Sequence, residues 1–200
     1  MATTYIKIFG VEMSGTGFLE FLLHRRFKAR ILLDEFGWRH GLPMEPEKYL
    51  QSRDCTESIK DEMERLARDG GVNFIVVIRD PYDWYAPAKQ AFRDWNVKRA
   101  YHKYRKLYLG YMRILEGGMP FFKQGVVVNF ERMRDNPGEI IESIAFAFGI
   151  NEIYPPKSII PPKDPLPVKI PQVELDIINE ILPEEIFDYY GYTRSTKQLL

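Results

Sequence analysis

The sequence has little of several features that would define its class at once. It has one cysteine in 200 residues, Cys55, which excludes a disulfide framework and a cysteine-rich zinc site. Its 28 basic and 28 acidic residues balance, so no overall charge attracts nucleic acid or an anionic membrane. No apolar run approaches the roughly 18 residues that a membrane-spanning helix needs, and the first residues lack a signal peptide's basic and apolar blocks. We therefore expect a cytoplasmic protein with one domain over residues 1–200, and neither a nucleic-acid nor a membrane partner.

The first distinctive stretch joins two apolar patterns through a glycine-rich turn. Residues 5–10 are typical of a buried strand, and residues 18–23 place apolar side chains at helical spacing. The turn between them, from Gly10 to Gly17, would direct backbone N–H groups and the positive end of a helix at one point. The stretch therefore predicts an anion site of the kind that binds phosphate.

Two common nucleotide-binding patterns fit this turn poorly. In nucleoside triphosphatases Lys and then Ser or Thr follow the second glycine, whereas Thr16 and Gly17 stand at those positions here. A dinucleotide-binding turn would have a third glycine where Glu20 stands. A phosphotransferase in which another cation replaces the missing lysine stays open as an alternative.

The rest of the chain alternates strand and helix patterns. Further strands are expected at residues 29–33, 73–78 and 125–129, and further helices at 56–68, 84–115 (interrupted near Pro87), 137–148 and 172–190. This alternation predicts an α/β three-layer sandwich with a mainly parallel central sheet. Residues 151–171 hold half of the 14 prolines, so we expect an extended surface segment there.

Four segments resemble a known family, in the same order along the chain. They are Ser14-Gly15-Thr16-Gly17-Phe18, Arg39-His40-Gly41-Leu42-Pro43, Arg79-Asp80-Pro81-Tyr82-Asp83, and the run from Phe130-Glu131 through Asn136-Pro137 to Phe148-Gly149. Together they are similar to segments of the sulfotransferases, which have an α/β fold of the P-loop nucleotide-binding type. The resemblance covers most of the chain.

The resemblance implies a reaction and a set of roles. A sulfotransferase transfers a sulfuryl group from 3′-phosphoadenosine 5′-phosphosulfate (PAPS) to a hydroxyl or amine, here of a small-molecule or glycan acceptor, without a metal. Residues 14–18 would bind the 5′-phosphosulfate, and Arg79 would pair with the 3′-phosphate. His40 would be the general base that takes the acceptor's proton.

Two positions depart from the family pattern. Met13 stands where the family has a lysine that supports the leaving phosphate, and Pro87 stands where it has a serine near the 3′-phosphate. Arg39 is the nearest cation by motif, and we expect it to take over the catalytic charge. The alternative is a catalytically degenerate nucleotide-binding protein.

Overall fold

A computed structural model describes residues 4–33, 35–45, 48, 57–69, 71–119, 121–150 and 168–195. The strands are β1 (Thr4–Phe9), β2 (Ala29–Leu32), β3 (Val72–Ile78) and β4 (Phe122–Asn129). The helices are α1 (Thr16–Arg26), α2 (Glu57–Asp69), α3 (Pro81–Ala91), α4 (Val97–Gly117), α5 (Phe130–Asp135), α6 (Pro137–Phe148), α7 (Gln172–Ile181) and α8 (Glu184–Tyr190). Most of the proline-rich segment, residues 151–167, lies outside the described residues.

The predicted strands are confirmed, but two long helical patterns are each divided. The prediction of an interruption near Pro87 is wrong: Pro87 lies inside α3, and the break follows at residues 92–96. Asn96 begins α4, because its side chain accepts a hydrogen bond from the backbone N–H of Arg99 at 2.9 Å. The last pattern breaks at Pro183, which has no backbone N–H to continue α7 into α8.

All four strands pair in parallel, in the order β2-β1-β3-β4. Every residue of β3 is buried, as expected of a parallel strand covered on both faces. Successive side chains point to opposite faces, so Ile75 and Val77 join one core and Phe74 and Val76 the other. Helices α1 and α6 cover the first face and α4, α7 and α8 the second, which confirms the predicted α/β class with a parallel sheet.

The strand order places a crevice at one edge of the sheet. The chain passes from β1 outward to β2, and then returns across β1 to β3. The loops that follow β1 and β3 therefore diverge at the carboxyl ends of two neighbouring strands, the position at which open α/β sheets bind ligands. Among the described residues, no helix is long and apolar enough to cross a membrane.

Four buried tyrosines of α4 face the loops at this edge. We call them the tyrosine ladder: Tyr101, Tyr104, Tyr108 and Tyr111, none with any exposed surface. Their spacing of three and four residues places them on one face of the helix. Burial raises the pKa of each hydroxyl, so all four remain protonated and can donate.

The tyrosine ladder bonds mainly to backbone. Tyr104 donates to the carbonyl of Arg79 at 2.5 Å, and the N–H of Arg79 donates to the hydroxyl of Tyr108 at 2.9 Å. Tyr111 donates to the carbonyl of Gly41 at 2.9 Å. Helix α4 thereby fixes the loops after β2 and β3, where no strand partner remains for these backbone groups.

We expect Tyr108→Phe to lower the free energy of unfolding by about 1–3 kcal/mol, because the buried N–H of Arg79 loses its acceptor. Urea unfolding measures the change. Tyr189→Phe is the matched control, since the Tyr189 side chain is 38% exposed and makes no hydrogen bond to a described residue. Equal stabilities of the two variants would contradict this role of the tyrosine ladder.

Candidate functional site

The turn between β1 and α1 is built around glycines that no other residue could replace without movement. Gly15 has φ +95°, and a Cβ there would lie 2.2 Å from a ring carbon of Phe130. A Cβ on Gly10 would lie 2.5 Å from the hydroxyl of Ser14 and 2.7 Å from the carbonyl of Val77. The sequence therefore has glycine at both points because the turn packs directly on its neighbours.

Helix α1 begins with its positive end open. Gly15 is its N-cap and offers no side-chain acceptor, and no acidic residue lies in the first turn. The first N–H groups of a helix have no partner within the helix, and the helix dipole adds a partial positive charge. The expected anion site is consistent with this arrangement, in which Gly15, Thr16, Gly17 and Phe18 line the same pocket.

Three side chains hold the carbonyl groups of the turn. The indole N–H of Trp84 donates to Glu12 at 2.6 Å, and the guanidinium of Arg79 donates to Met13 at 3.0 Å. His40 donates from Nδ1 to the carbonyl of Gly10 at 2.9 Å. These contacts come from α3 and from the loops after β2 and β3, so the turn is fixed by the whole edge of the sheet.

The pocket at this edge has a volume of about 640 Å³. It is lined by Met13, Gly15, Thr16, Gly17, Phe18, Arg39, His40, Arg79, Pro87, Gln90, Ala91 and Phe130. Seven of the eight residues predicted for the site line it. The eighth, Ser14, is fully buried beneath the turn and lies against Gly10 instead.

His40 is placed to act as a base. Because a carbonyl oxygen can only accept, the bond to Gly10 requires a proton on Nδ1 and leaves the lone pair of the neutral ring on Nε2. Burial lowers the pKa of His40 below its ordinary value of 6.5, against opposing effects of the Gly10 bond and the Glu12 charge. The imidazole is therefore neutral at physiological pH and able to accept a proton.

Arg39 lines the pocket, but its charge is paired. Its guanidinium donates to the carboxylate of Glu20 on α1 at 2.7 Å, and both side chains are partly exposed. Its backbone carbonyl accepts from the N–H of Gly10 at 2.9 Å, which ties its loop to the turn. Arg39 thus occupies the expected place with a carboxylate partner that the motif did not indicate.

Arg79 is more deeply placed than the motif suggested. It is 5% exposed, and its guanidinium carbon lies 4.3 Å from the ring centre of Phe130, in cation–π contact. Phe130 in turn packs against the backbone of Gly15. The arginine therefore both supports the turn and presents positive charge to the pocket.

Asp80, next to Arg79, begins α3 and contacts the start of α5. Its side chain accepts from the backbone N–H of Tyr82 and Asp83, at 2.8 and 3.2 Å. Its own backbone N–H donates to the carboxylate of Glu131 at 3.1 Å. Burial raises the pKa of Asp80 to about 6, so this carboxyl group titrates close to neutral pH.

Sequence reasoning missed part of the pocket wall. Gln90 and Ala91 line the pocket from the face of α3 that also carries Pro87, which the family resemblance had placed near the 3′-phosphate. Their spacing of three and four residues from Pro87 could have identified this face but not its target. Phe130 appeared only as part of the family resemblance. Among the described residues, no group of three or more His, Cys, Asp or Glu side chains is arranged to hold a metal ion.

Comparison with known proteins gives no family for the chain. No family model matches the sequence, and no curated protein matches it significantly.

We expect Gly15→Ala to destabilise the protein, because the new methyl group meets Phe130 at a positive φ. Gly17→Ala is the matched control: nothing lies within 4 Å of its added Cβ, and alanine favours a helix by roughly 0.5–1 kcal/mol over glycine. Thermal unfolding of the two variants measures the difference. A Gly15→Ala protein as stable as Gly17→Ala would show that the turn does not have this conformation.

Proposed function

We propose that the protein binds PAPS in this pocket and transfers its sulfuryl group to the hydroxyl or amine of a small-molecule or glycan acceptor. The observation that carries the proposal is the meeting of three groups in one pocket: the open end of α1, the guanidinium of Arg79 and the neutral imidazole of His40. Two separated cationic positions suit a nucleotide with two separated phosphates. A neutral base beside them suits an acceptor that must lose a proton.

The P-loop type of the fold belongs to the same proposal. Strand β1, the glycine turn and α1 follow one another in the order that such phosphate loops have, and the crevice lies at the carboxyl ends of β1 and β3. The resemblance of residues 14–18 and 79–83 to sulfotransferase segments supports it, because both segments come to the pocket edge.

The transfer step follows from these roles. The acceptor's proton moves to Nε2 of His40 as its oxygen or nitrogen bonds to sulfur. The bond between sulfur and the bridging oxygen breaks, and its electron pair leaves with adenosine 3′,5′-bisphosphate. The N–H groups at the start of α1 and a nearby cation stabilise the charge on that bridging oxygen.

A phosphotransferase is the second candidate for the same pocket. It would need a cation in place of the missing lysine, and Arg39 stands close enough to line the pocket. The absence of the Lys-Ser/Thr pair at Thr16 and Gly17 makes the sulfuryl-transfer proposal the better supported one. Ligand preference separates the two.

We expect adenosine 3′,5′-bisphosphate to stabilise the protein without magnesium, and more than ATP does. At 100 times its dissociation constant it should add about 2.7 kcal/mol. A thermal-shift panel of the bisphosphate, ATP and NAD, each with and without magnesium, tests this. Stabilisation by ATP and magnesium alone would favour the phosphotransferase, and no stabilisation by any nucleotide would contradict both candidates.

The same panel includes Arg79→Ala as a variant. Because Arg79 is assigned to the 3′-phosphate, this change should weaken binding of the 3′,5′-bisphosphate more than that of adenosine 5′-monophosphate. Equal losses for the two nucleotides would mean that Arg79 only supports the turn through Met13 and Phe130.

We expect Arg39→Ala to lower PAPS transfer or hydrolysis by roughly 10²–10³-fold, and Met13→Lys to raise it little, if Arg39 supplies the charge at the leaving oxygen. A labelled-PAPS assay measures both. Arg25→Ala is the control for loss of one positive charge, since Arg25 is exposed at the other end of α1 and stacks on Phe21. If Met13→Lys creates activity that the natural protein lacks and Arg39→Ala changes nothing, the protein is a degenerate nucleotide binder.

A further inference from the structure

A charged cluster that is not part of the family resemblance lies beside His40. Glu12 follows the glycine turn's first residues and pairs through Oε1 with Nζ of Lys103, which comes from α4. Lys103 also lies 5.3 Å from the ring centre of Trp38, whose indole meets the ring of His40 edge-on with centroids 5.1 Å apart. The cluster therefore connects α4, the turn and the loop after β2 around the imidazole.

The second carboxylate oxygen of Glu12 is unusual. Oε2 is buried and accepts no hydrogen bond from any residue that the structure describes, although an unmade bond at a buried polar atom costs about 1–3 kcal/mol. The backbone of Glu12 is held in place by the indole N–H of Trp84 at 2.6 Å. The carboxylate of Glu12 is thus held in the site with a donor, Lys103, at only one of its two oxygens among the described residues.

Three charged groups act on His40, one each from its own loop, the glycine turn and α4. Arg39 of its own loop and Lys103 of α4 disfavour the protonated ring, and Glu12 of the turn favours it. Glu20 offsets the charge of Arg39, and Glu12 that of Lys103. Of these three groups, Glu12 is therefore the one whose charge favours a proton on His40.

We propose that Glu12 is a positioning residue that stabilises the imidazolium formed when His40 takes the acceptor's proton. The proton moves from the acceptor's O–H or N–H to Nε2, while Nδ1 keeps its bond to Gly10. The positive charge that appears on the ring is then attracted by the fixed carboxylate, and it disappears when the proton passes to water. This inference rests on the proposed function for its role in turnover.

The imidazole itself provides a test that needs no substrate. In NMR titrations of the protein without nucleotide, Glu12→Gln should lower the pKa of His40, because a favourable charge is lost and Lys103 is left unbalanced. Lys103→Met should raise it, because an unfavourable charge is lost. Glu142→Gln, which removes one exposed carboxylate from α6, is the control and should leave the titration unchanged.

The two variants are expected to shift the pKa of His40 in opposite directions, and this distinguishes a charge effect from a change in packing. A packing change in the turn would not move the pKa of His40 down in one variant and up in the other. An unchanged pKa in Glu12→Gln would overturn the proposal. If that variant does not fold, an unchanged or lowered pKa in Lys103→Met would overturn it.

Turnover provides the second measurement. Glu12→Gln should lower kcat for PAPS transfer or hydrolysis about tenfold, equivalent to about 1.4 kcal/mol in activation free energy, with KM for PAPS nearly unchanged.

The pH dependence of stability follows from the same pKa. Because the pKa of His40 is lower in the folded protein than in the unfolded chain, the unfolded chain binds more protons below pH 6.5, and the wild type loses stability there. Glu12→Gln should lower that pKa further and so increase the loss of stability. Failure of nucleotide binding would contradict the proposed function while leaving the charge effect of Glu12 on His40 in place, and an unmoved His40 pKa would contradict this inference whatever the protein binds.

Discussion

The site depends on buried and half-buried side-chain donors that bind backbone carbonyl groups where the strands end. A parallel sheet leaves the backbone of its exit loops without strand partners, and burial makes every unpaired group costly. The tyrosine ladder, Trp84, Arg79 and His40 supply those partners from four different parts of the chain. The pocket is open while the loops around it are held in place.

These contacts give several residues two tasks. His40 must donate from Nδ1 to hold the turn, and this same bond is what frees Nε2 to accept a proton. Arg79 holds Met13 and packs on Phe130, and this fixes where its positive charge lies. Structure and proposed chemistry therefore rest on the same hydrogen bonds, so a ligand meets groups that are already oriented.

Local pattern was enough to predict the strands and the glycine turn, because each depends on neighbouring residues. Arg79 and His40 could be placed at the pocket edge since parallel strands end together. Pairs of residues distant in sequence could not be predicted: Glu12 and Lys103, for example, are 91 positions apart. Helical spacing likewise shows which face of α4 is buried, but not which backbone group each tyrosine contacts. The break after α3 was misplaced because a proline inside a pattern was taken as its end, whereas the helix accommodates Pro87.

A structure with adenosine 3′,5′-bisphosphate bound tests the central claim most directly, namely that this pocket is a two-phosphate nucleotide site. The account predicts the 5′-phosphate on the backbone N–H groups of residues 15–18 and the 3′-phosphate within hydrogen-bonding distance of the Arg79 guanidinium, with no magnesium required. A bisphosphate that binds elsewhere, for example on the exposed lysines and arginines of α4, would contradict it. So would one that enters the pocket and makes neither contact.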